Sequence, residues 1–278
     1  MKKRKITRKI ILNIFFIMCC FIALLPILYA FSVSFNTSNS LVDSDFSFIP
    51  KDFTFKNYIA VIMDKPLLLW FKNSSILAVS TLVFSLGVAI PAAYAFSRHR
   101  FKGRKTILNT LILLNAFPAI LSMFAIYRLL SPLGLINTKL GLVIVYIGTM
   151  AIFALWNLKG YFDTVPMGIE EAARIDGASD FIIAKSIMIP LAKPSIIVTA
   201  VMILIYVWNE YIYAITFLTG ADNYTLAAGL YSLQATETSG NWPIFAAASL
   251  MVSLPVLIMF LFAQKHMVSG LTVGGMKG

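Results

Sequence analysis

Long apolar stretches, each separated from the next by polar or basic residues, constrain this chain more than any other feature. A bilayer core of about 30 Å takes roughly 20 apolar residues in a helix. That length fits six times, at Ile10–Ser34, Ser74–Ser97, Ile107–Leu130, Leu140–Tyr161, Ser195–Thr219 and Pro243–Ala263. Lipid cannot satisfy open backbone polar groups, so each stretch must close its own hydrogen bonds as a helix. The alternating pattern of a barrel strand is absent. The expected fold is therefore all-α, a polytopic membrane protein with six transmembrane helices. Composition agrees: 59% of the 278 residues are hydrophobic and 13% charged, whereas about a quarter are charged in soluble domains. A net charge of +11 would point to nucleic acid in a soluble chain. Here the basic residues cluster in short segments between apolar runs, which is the pattern of lipid headgroups and the positive-inside rule and excludes a nucleic-acid partner.

Orientation follows from those clusters. Lys2, Lys3, Arg4, Lys5, Arg8 and Lys9 precede the first span, and Arg98, Arg100, Lys102, Arg104 and Lys105 lie between the second and third. Lys159, Arg174, Lys185 and Lys193 mark a third inner segment, while the loop Gly220–Trp242 has no Lys or Arg. Both termini are thus expected in the cytoplasm. The first apolar run is too long for a signal sequence and shows no clear cleavage site, so it reads as an uncleaved span. The chain divides into a basic N-terminus and first helix (1–35), an extracytoplasmic loop (36–72), a core of five spans (73–264) containing a long inner loop (162–194), and a cytoplasmic Gly-rich tail (265–278). The aromatic run Phe46, Phe48, Phe53, Phe55 and Tyr58 in the first outer loop is either an interfacial belt or a face for a partner protein. Cys19 and Cys20, adjacent in an apolar run, are packing residues with no metal-ligand spacing.

The inner loop Phe162–Pro194 is far longer than two neighbouring helices need. Thr164 is placed to cap a helix, Pro166 suits a first turn and Gly177 supplies a stop. Ile169, Ala172, Ala173 and Asp176 share one face at helical spacing, and Glu170 precedes Arg174 by four residues, a favourable ion-pair direction. Ser179 offers a cap for a second helix, Asp180–Ile187, expected to end before Pro190.

The pattern Glu171-Ala172-Ala173, three residues, Gly177, nine residues, Ile187, then Ile189-Pro190 resembles the EAA loop of binding-protein-dependent ABC importer permeases, departing only in Ile189 where Leu is usual. The resemblance extends to the span count, to Asn57-Tyr58, and to the closing segment Gly270–Gly278, which looks like that of the G-type permease of maltose-family sugar importers. It implies the type I ABC importer transmembrane fold. It also implies that Glu171, Ala172, Ala173, Arg174, Asp176 and Gly177 couple to an ATPase. Glu171 would make the polar contact, Ala172 and Ala173 would allow close approach, and Gly177 would make the turn. The tail residues Gly270, Thr272, Gly274 and Gly275 would reach the ATPase dimer interface as a flexible segment. The implied partners are a second permease in a heterodimer, two ATPase subunits and an extracytoplasmic sugar-binding protein. No cofactor would bind this chain, ATP and Mg belonging to the ATPase.

Glu210, beside Asn209, is the acidic residue well inside a predicted span, where a carboxylate is costly. It either lines a pathway, hydrogen-bonds a neighbouring helix, or sits in an outer vestibule. Tyr224, Gln234 and Trp242 in the outer loop have the chemistry of sugar or binding-protein contacts. The chain has no GxxxxGK[ST] phosphate loop, HExxH or GxSxG, so it is not expected to be an enzyme. The alternatives are a stand-alone secondary transporter, which would favour repeated halves and buried charge pairs, and a membrane-embedded enzyme.

Overall fold

The computed structural model describes residues 2–37, 48–50, 53–235 and 242–274. Helices dominate, and no strand occurs among the described residues. Among the described residues, four helices are long and apolar enough to cross a membrane: Arg8–Ser34, Leu67–Arg98, Lys139–Thr164 and Trp242–Gln264. Two further crossings are available if each of two bent helix pairs counts as one span.

The chain forms two compact units. The first, Met1–Leu67 with Leu230–Leu254, contains α1 (Lys2–Ser34) and α2 (Lys56–Met63). The last carbonyls of a helix lack intrahelical partners, and Asn57 supplies one for Ser34: its Nδ2 donates to the Ser34 carbonyl and to that of Asn36, just past the helix end, both at 2.9 Å. Phe35, at the end of α1, is buried and stacks on Phe53 at 4.6 Å, with Phe55 edge-on and Tyr58 tilted against it. The outer aromatic run thus folds back onto α1. Phe53 and Phe55 remain exposed. Phe46 lies outside the described residues.

The second unit, Leu68–Gly229 with Pro255–Gly278, carries the continuous hydrophobic core. It is organised on α6 (Lys139–Thr164), whose Leu142, Tyr146, Ala154, Leu158 and Phe162 are fully buried. Helix α6 starts at Thr138, whose Oγ1 accepts from the Gly141 N–H at 3.1 Å, a standard N-cap. It packs against α4 (Arg104–Ala116) and α10 (Lys193–Asn209). Helix α3 (Leu67–Arg98) begins earlier than the span read from the sequence, and its first turns hold the loop before α12 (Leu226–Ala235). Trp70 Nε1 donates to the Ala221 carbonyl at 2.7 Å, Asn73 Nδ2 to the carbonyls of Asp222 and Tyr224, and Ser74 Oγ accepts from the Leu226 N–H. The last helix, α13, spans Trp242–Gly274.

Two expected spans are broken. The segment read as Ile107–Leu130 is α4 followed by α5 (Ala119–Leu130), with a bend of 101° between them. Pro118 removes a helix N–H and biases the preceding residue away from helical geometry, and Phe117 is extended at ψ 132°. The segment read as Ser195–Thr219 is α10, then a break at Glu210, then α11 (Ile212–Phe217). Glu210 itself is extended, at ψ 119°.

Candidate functional site

The inner loop between α6 and α10 forms a helix, a glycine turn and a second helical segment, as its sequence predicts. Helix α7 spans Met167–Ile175. Gly177 adopts φ +84°, a left-handed conformation that favours glycine, and its N–H bonds the Arg174 carbonyl at 3.0 Å. Ser179 Oγ then accepts from the Ile182 N–H and starts α8 (Asp180–Ile182).

Three local expectations are corrected. Thr164 does not cap α7. It is the last residue of α6, where its Oγ1 donates to the Tyr161 carbonyl at 2.7 Å, and the residue before α7 is Pro166, with no side-chain cap. The second helical segment also does not end before Pro190. It passes through a π-helical turn, Ile183–Met188, into α9 (Ile189–Leu191). A proline clashes with the carbonyl four residues back in an α-helix, and the wider i→i+5 turn displaces that carbonyl. The direction change comes later, a 72° bend between Leu191 and Lys193. The Tyr161 hydroxyl donates there to the Leu191 carbonyl at 2.8 Å.

The third correction concerns Glu170. Its pairing with Arg174 is loose, 3.8 Å, with the Glu170 side chain fully buried and Arg174 42% exposed. The close partner of Glu170 is Arg98 at the end of α3, whose Nε donates to Oε1. The Tyr94 hydroxyl donates to Oε2 at 3.2 Å, and Arg98 Nη2 donates to the Val165 carbonyl at 2.8 Å. Beside them Ser97 Oγ and Lys159 Nζ both donate to Asp163, each at 2.6 Å. The end of α3 therefore clamps the α6–α7 junction by charge-assisted bonds. Arg174 pairs instead with Asp180 at 3.1 Å across the glycine turn. That hydrogen bond raises the Arg174 pKa above its ordinary value.

Of the sequence-predicted coupling residues, Glu171, Ala172, Arg174, Asp176 and Gly177 are exposed, whereas Ala173 is buried in the chain's own core. The inward face of α7 is Glu170 and Ala173. Around the exposed residues lie Met167, Ile175, Phe181 and Ile182, exposed by 47%, 86%, 71% and 49%. Gly270, Thr272 and Gly274 fall on the final turns of α13, so the backbone there is helical where a flexible segment was expected. Gly275 lies outside the described residues.

Glu210 bridges two elements. Its Oε1 accepts from the Tyr213 N–H at 2.8 Å and its Oε2 from the Ala214 N–H at 3.3 Å, so it caps α11 after the break. Its Oε2 also accepts from the Tyr146 hydroxyl of α6 at 2.6 Å. Asn209 and Glu210 line an open cavity of about 350 Å³ with Tyr206, Tyr211 and Tyr213. Tyr224 is half-buried in the loop held by Asn73. Gln234 is exposed on α12, and Trp242 opens α13 with its ring edge-on to Phe245. Both belong to the first unit, away in sequence from the Glu210 cavity.

Sequence reasoning missed the roles of Tyr94, Ser97, Arg98, Asp163 and Glu170. The Arg98–Glu170 pair joins positions 72 apart in sequence, and one chain offers no pattern that links them.

Comparison with known proteins places the chain in a family. Residues 85–267 match the family described as "Binding-protein-dependent transport system inner membrane component". The galactooligosaccharides transport system permease protein GanQ of Bacillus subtilis is 37% identical over 280 residues, covering 99% of this chain and 98% of that protein. The maltodextrin transport system permease protein MdxG of the same organism is 33% identical, again over 99% and 98% of the two chains. The crystal structure of a bacterial ABC transporter involved in the import of the acidic polysaccharide alginate includes a chain that is 28% identical with a TM-score of 0.76. That match covers 94% of this chain and 95% of the other. This chain belongs to the family of inner-membrane components of binding-protein-dependent transport systems, permease subunits that carry out transport rather than catalysis.

Proposed function

We propose that this chain is a permease subunit of an ATP-driven importer of oligosaccharides, with maltodextrin, maltose or another oligosaccharide as the substrate. It crosses the membrane six times with both termini in the cytoplasm and forms half of the pathway, the other half coming from a second, non-identical permease. Two ATPase subunits bind ATP and Mg, an extracytoplasmic binding protein delivers the sugar, and this chain itself holds no cofactor. The relatives named for galactooligosaccharide and maltodextrin transport support the substrate class.

The observation that carries the reading is the exposed rim of α7. Glu171, Ala172 and Asp176 stand outward beside Ile175 and Phe181, and apolar side chains that are this exposed on a loop outside the membrane call for a protein partner. The clamp on Glu170 anchors the inner face of the same helix. A helix fixed on one side and open on the other is suited to pass the movement of a docked ATPase into α3, α6 and α10. The tail residues Gly270, Thr272, Gly274 and Gly275 complete that contact in this reading, and Asn209, Glu210, Tyr224, Gln234 and Trp242 face the sugar or its binding protein.

Glu171→Lys tests the coupling role. The substitution reverses a charge on an exposed helix and leaves the core untouched, so insertion and level in the membrane are expected to match wild type. Sugar uptake is expected to fall roughly thirtyfold or more, on the scale of a charge lost at a docked interface. Wild-type uptake by that variant would sink the assignment.

Reporter fusions test the topology. A reporter after Lys102 or Met276 is expected in the cytoplasm and one at Thr236 outside, as the basic clusters require. A cytoplasmic signal at Thr236 would overturn the six-span arrangement.

A further inference from the structure

The turn between α3 and α4 borders an open cavity of about 750 Å³ that the coupling role does not use. Its lining is Arg100, Phe101, Gly103, Arg104, Lys105, Thr106, Leu108 and Lys159. The charges lining it are of one sign, and two of the four lack an ion-pair partner among the described residues. Lys159 is neutralised by Asp163 at 2.6 Å, and Arg104 shares the field of that carboxylate and makes a long bond to the His99 carbonyl at 3.4 Å. Neither Arg100 nor Lys105 has an ion-pair partner among the described residues. The start of α4 opens into the same space: Gly103, in the left-handed region at φ +89°, precedes the helix and gives it no side-chain cap. The first N–H groups of a helix carry partial positive charge and attract anions.

The cavity also has an apolar part. Leu108 is buried and Phe101 packs on Phe96 at 5.3 Å. Its place in the fold is equally specific, because the ends of α3 and α6 meet beside it through Ser97 and Asp163. In the six-span topology proposed above, on which this inference rests, it sits where two of the spans leave the apolar layer, at the level of the headgroups. Guanidinium and ammonium groups, an uncapped helix start and an apolar part together match a phosphodiester with the first carbons of its acyl chains. We propose that this cavity binds the headgroup of an anionic phospholipid, one molecule per chain, at the membrane surface that carries α7.

Native mass spectrometry of the purified full-length chain in a neutral detergent, titrated separately with phosphatidylglycerol and phosphatidylcholine, tests this. One phosphatidylglycerol is expected to be retained under conditions that strip phosphatidylcholine. Arg100→Gln and Lys105→Gln are each expected to weaken retention by roughly fivefold, the scale of one basic side chain at an anionic surface. Lys102→Gln, a neighbour outside the cavity lining, is expected to leave it unchanged. Both substituted cavity residues are exposed, and equal melting temperatures of the lipid-free variants would show that folding is intact. Equal retention of the two lipids would overturn the proposal, as would equal weakening by Lys102→Gln. Displacement of the lipid by millimolar inorganic phosphate would assign the cavity to a soluble anion and overturn the lipid reading too.

Discussion

Glu170→Ala is expected to destabilise the chain by about 3–5 kcal/mol, the cost of leaving a buried charge without its partner. The partner is Arg98, whose side chain is 4% exposed while that of Glu170 is fully buried. Removing the carboxylate strands the guanidinium and also leaves the Tyr94 hydroxyl without its acceptor. The Val165 carbonyl then becomes the remaining bond from Arg98 to the α6–α7 junction. Arg98→Ala is expected to cost as much for the mirror reason. The double replacement Arg98→Leu with Glu170→Leu is expected to recover most of the loss, because an apolar pair of similar volume avoids the desolvation that an ion pair must offset. Unfolding in mixed micelles as a function of added sodium dodecyl sulfate reads all three. Single variants within about 0.5 kcal/mol of wild type, the range of surface substitutions, would show that the pair is not a structural clamp.

The second large effect is expected at Gly229. A β-carbon built there would overlap the indole ring of Trp70. The ring has little room to yield, since it is 2% exposed and its Nε1 is bonded to the Ala221 carbonyl at 2.7 Å. Gly229→Ala must therefore displace Trp70. The expected cost is about 1–3 kcal/mol for overpacking and a further 1–3 kcal/mol or so for the stranded hydrogen bond. Trp70→Leu in the Gly229→Ala background is expected to regain part of this by removing the overlap. The same micelle titration measures it, and a Gly229→Ala chain as stable as wild type would refute the close approach.

Much of this architecture was legible before any coordinate, because the signals are local. Hydropathy located the helices, Gly177 marked its turn by the conformation it alone adopts freely, and Ser179 announced a cap. What could not be read came from pairings across the chain. Arg98 looked like one more basic residue obeying the positive-inside rule, and its carboxylate partner lies in a different loop. Glu210 stood out as a carboxylate inside an apolar run, but its use as the cap of a broken helix depends on Tyr146 from α6 and on a break that hydropathy does not register. Pro118 and Pro190 show the same limit from the other side. The first breaks its segment and the second does not, since whether a helix breaks or widens around a proline depends on the surrounding packing.

The widened turn at Ile183–Met188 has a geometric consequence. It holds one residue more than an α-helical turn would need, a register offset built into the rod between α8 and α9. Tightening it to α geometry would advance the backbone by one position, which in a helix of 3.6 residues per turn is a rotation of about 100° with a travel of about 1.5 Å. Because α8 is tied to α7 through Arg174 and Asp180, such a change would screw the outward rim against α10, the helix that follows it, converting a small axial displacement into a large angular one.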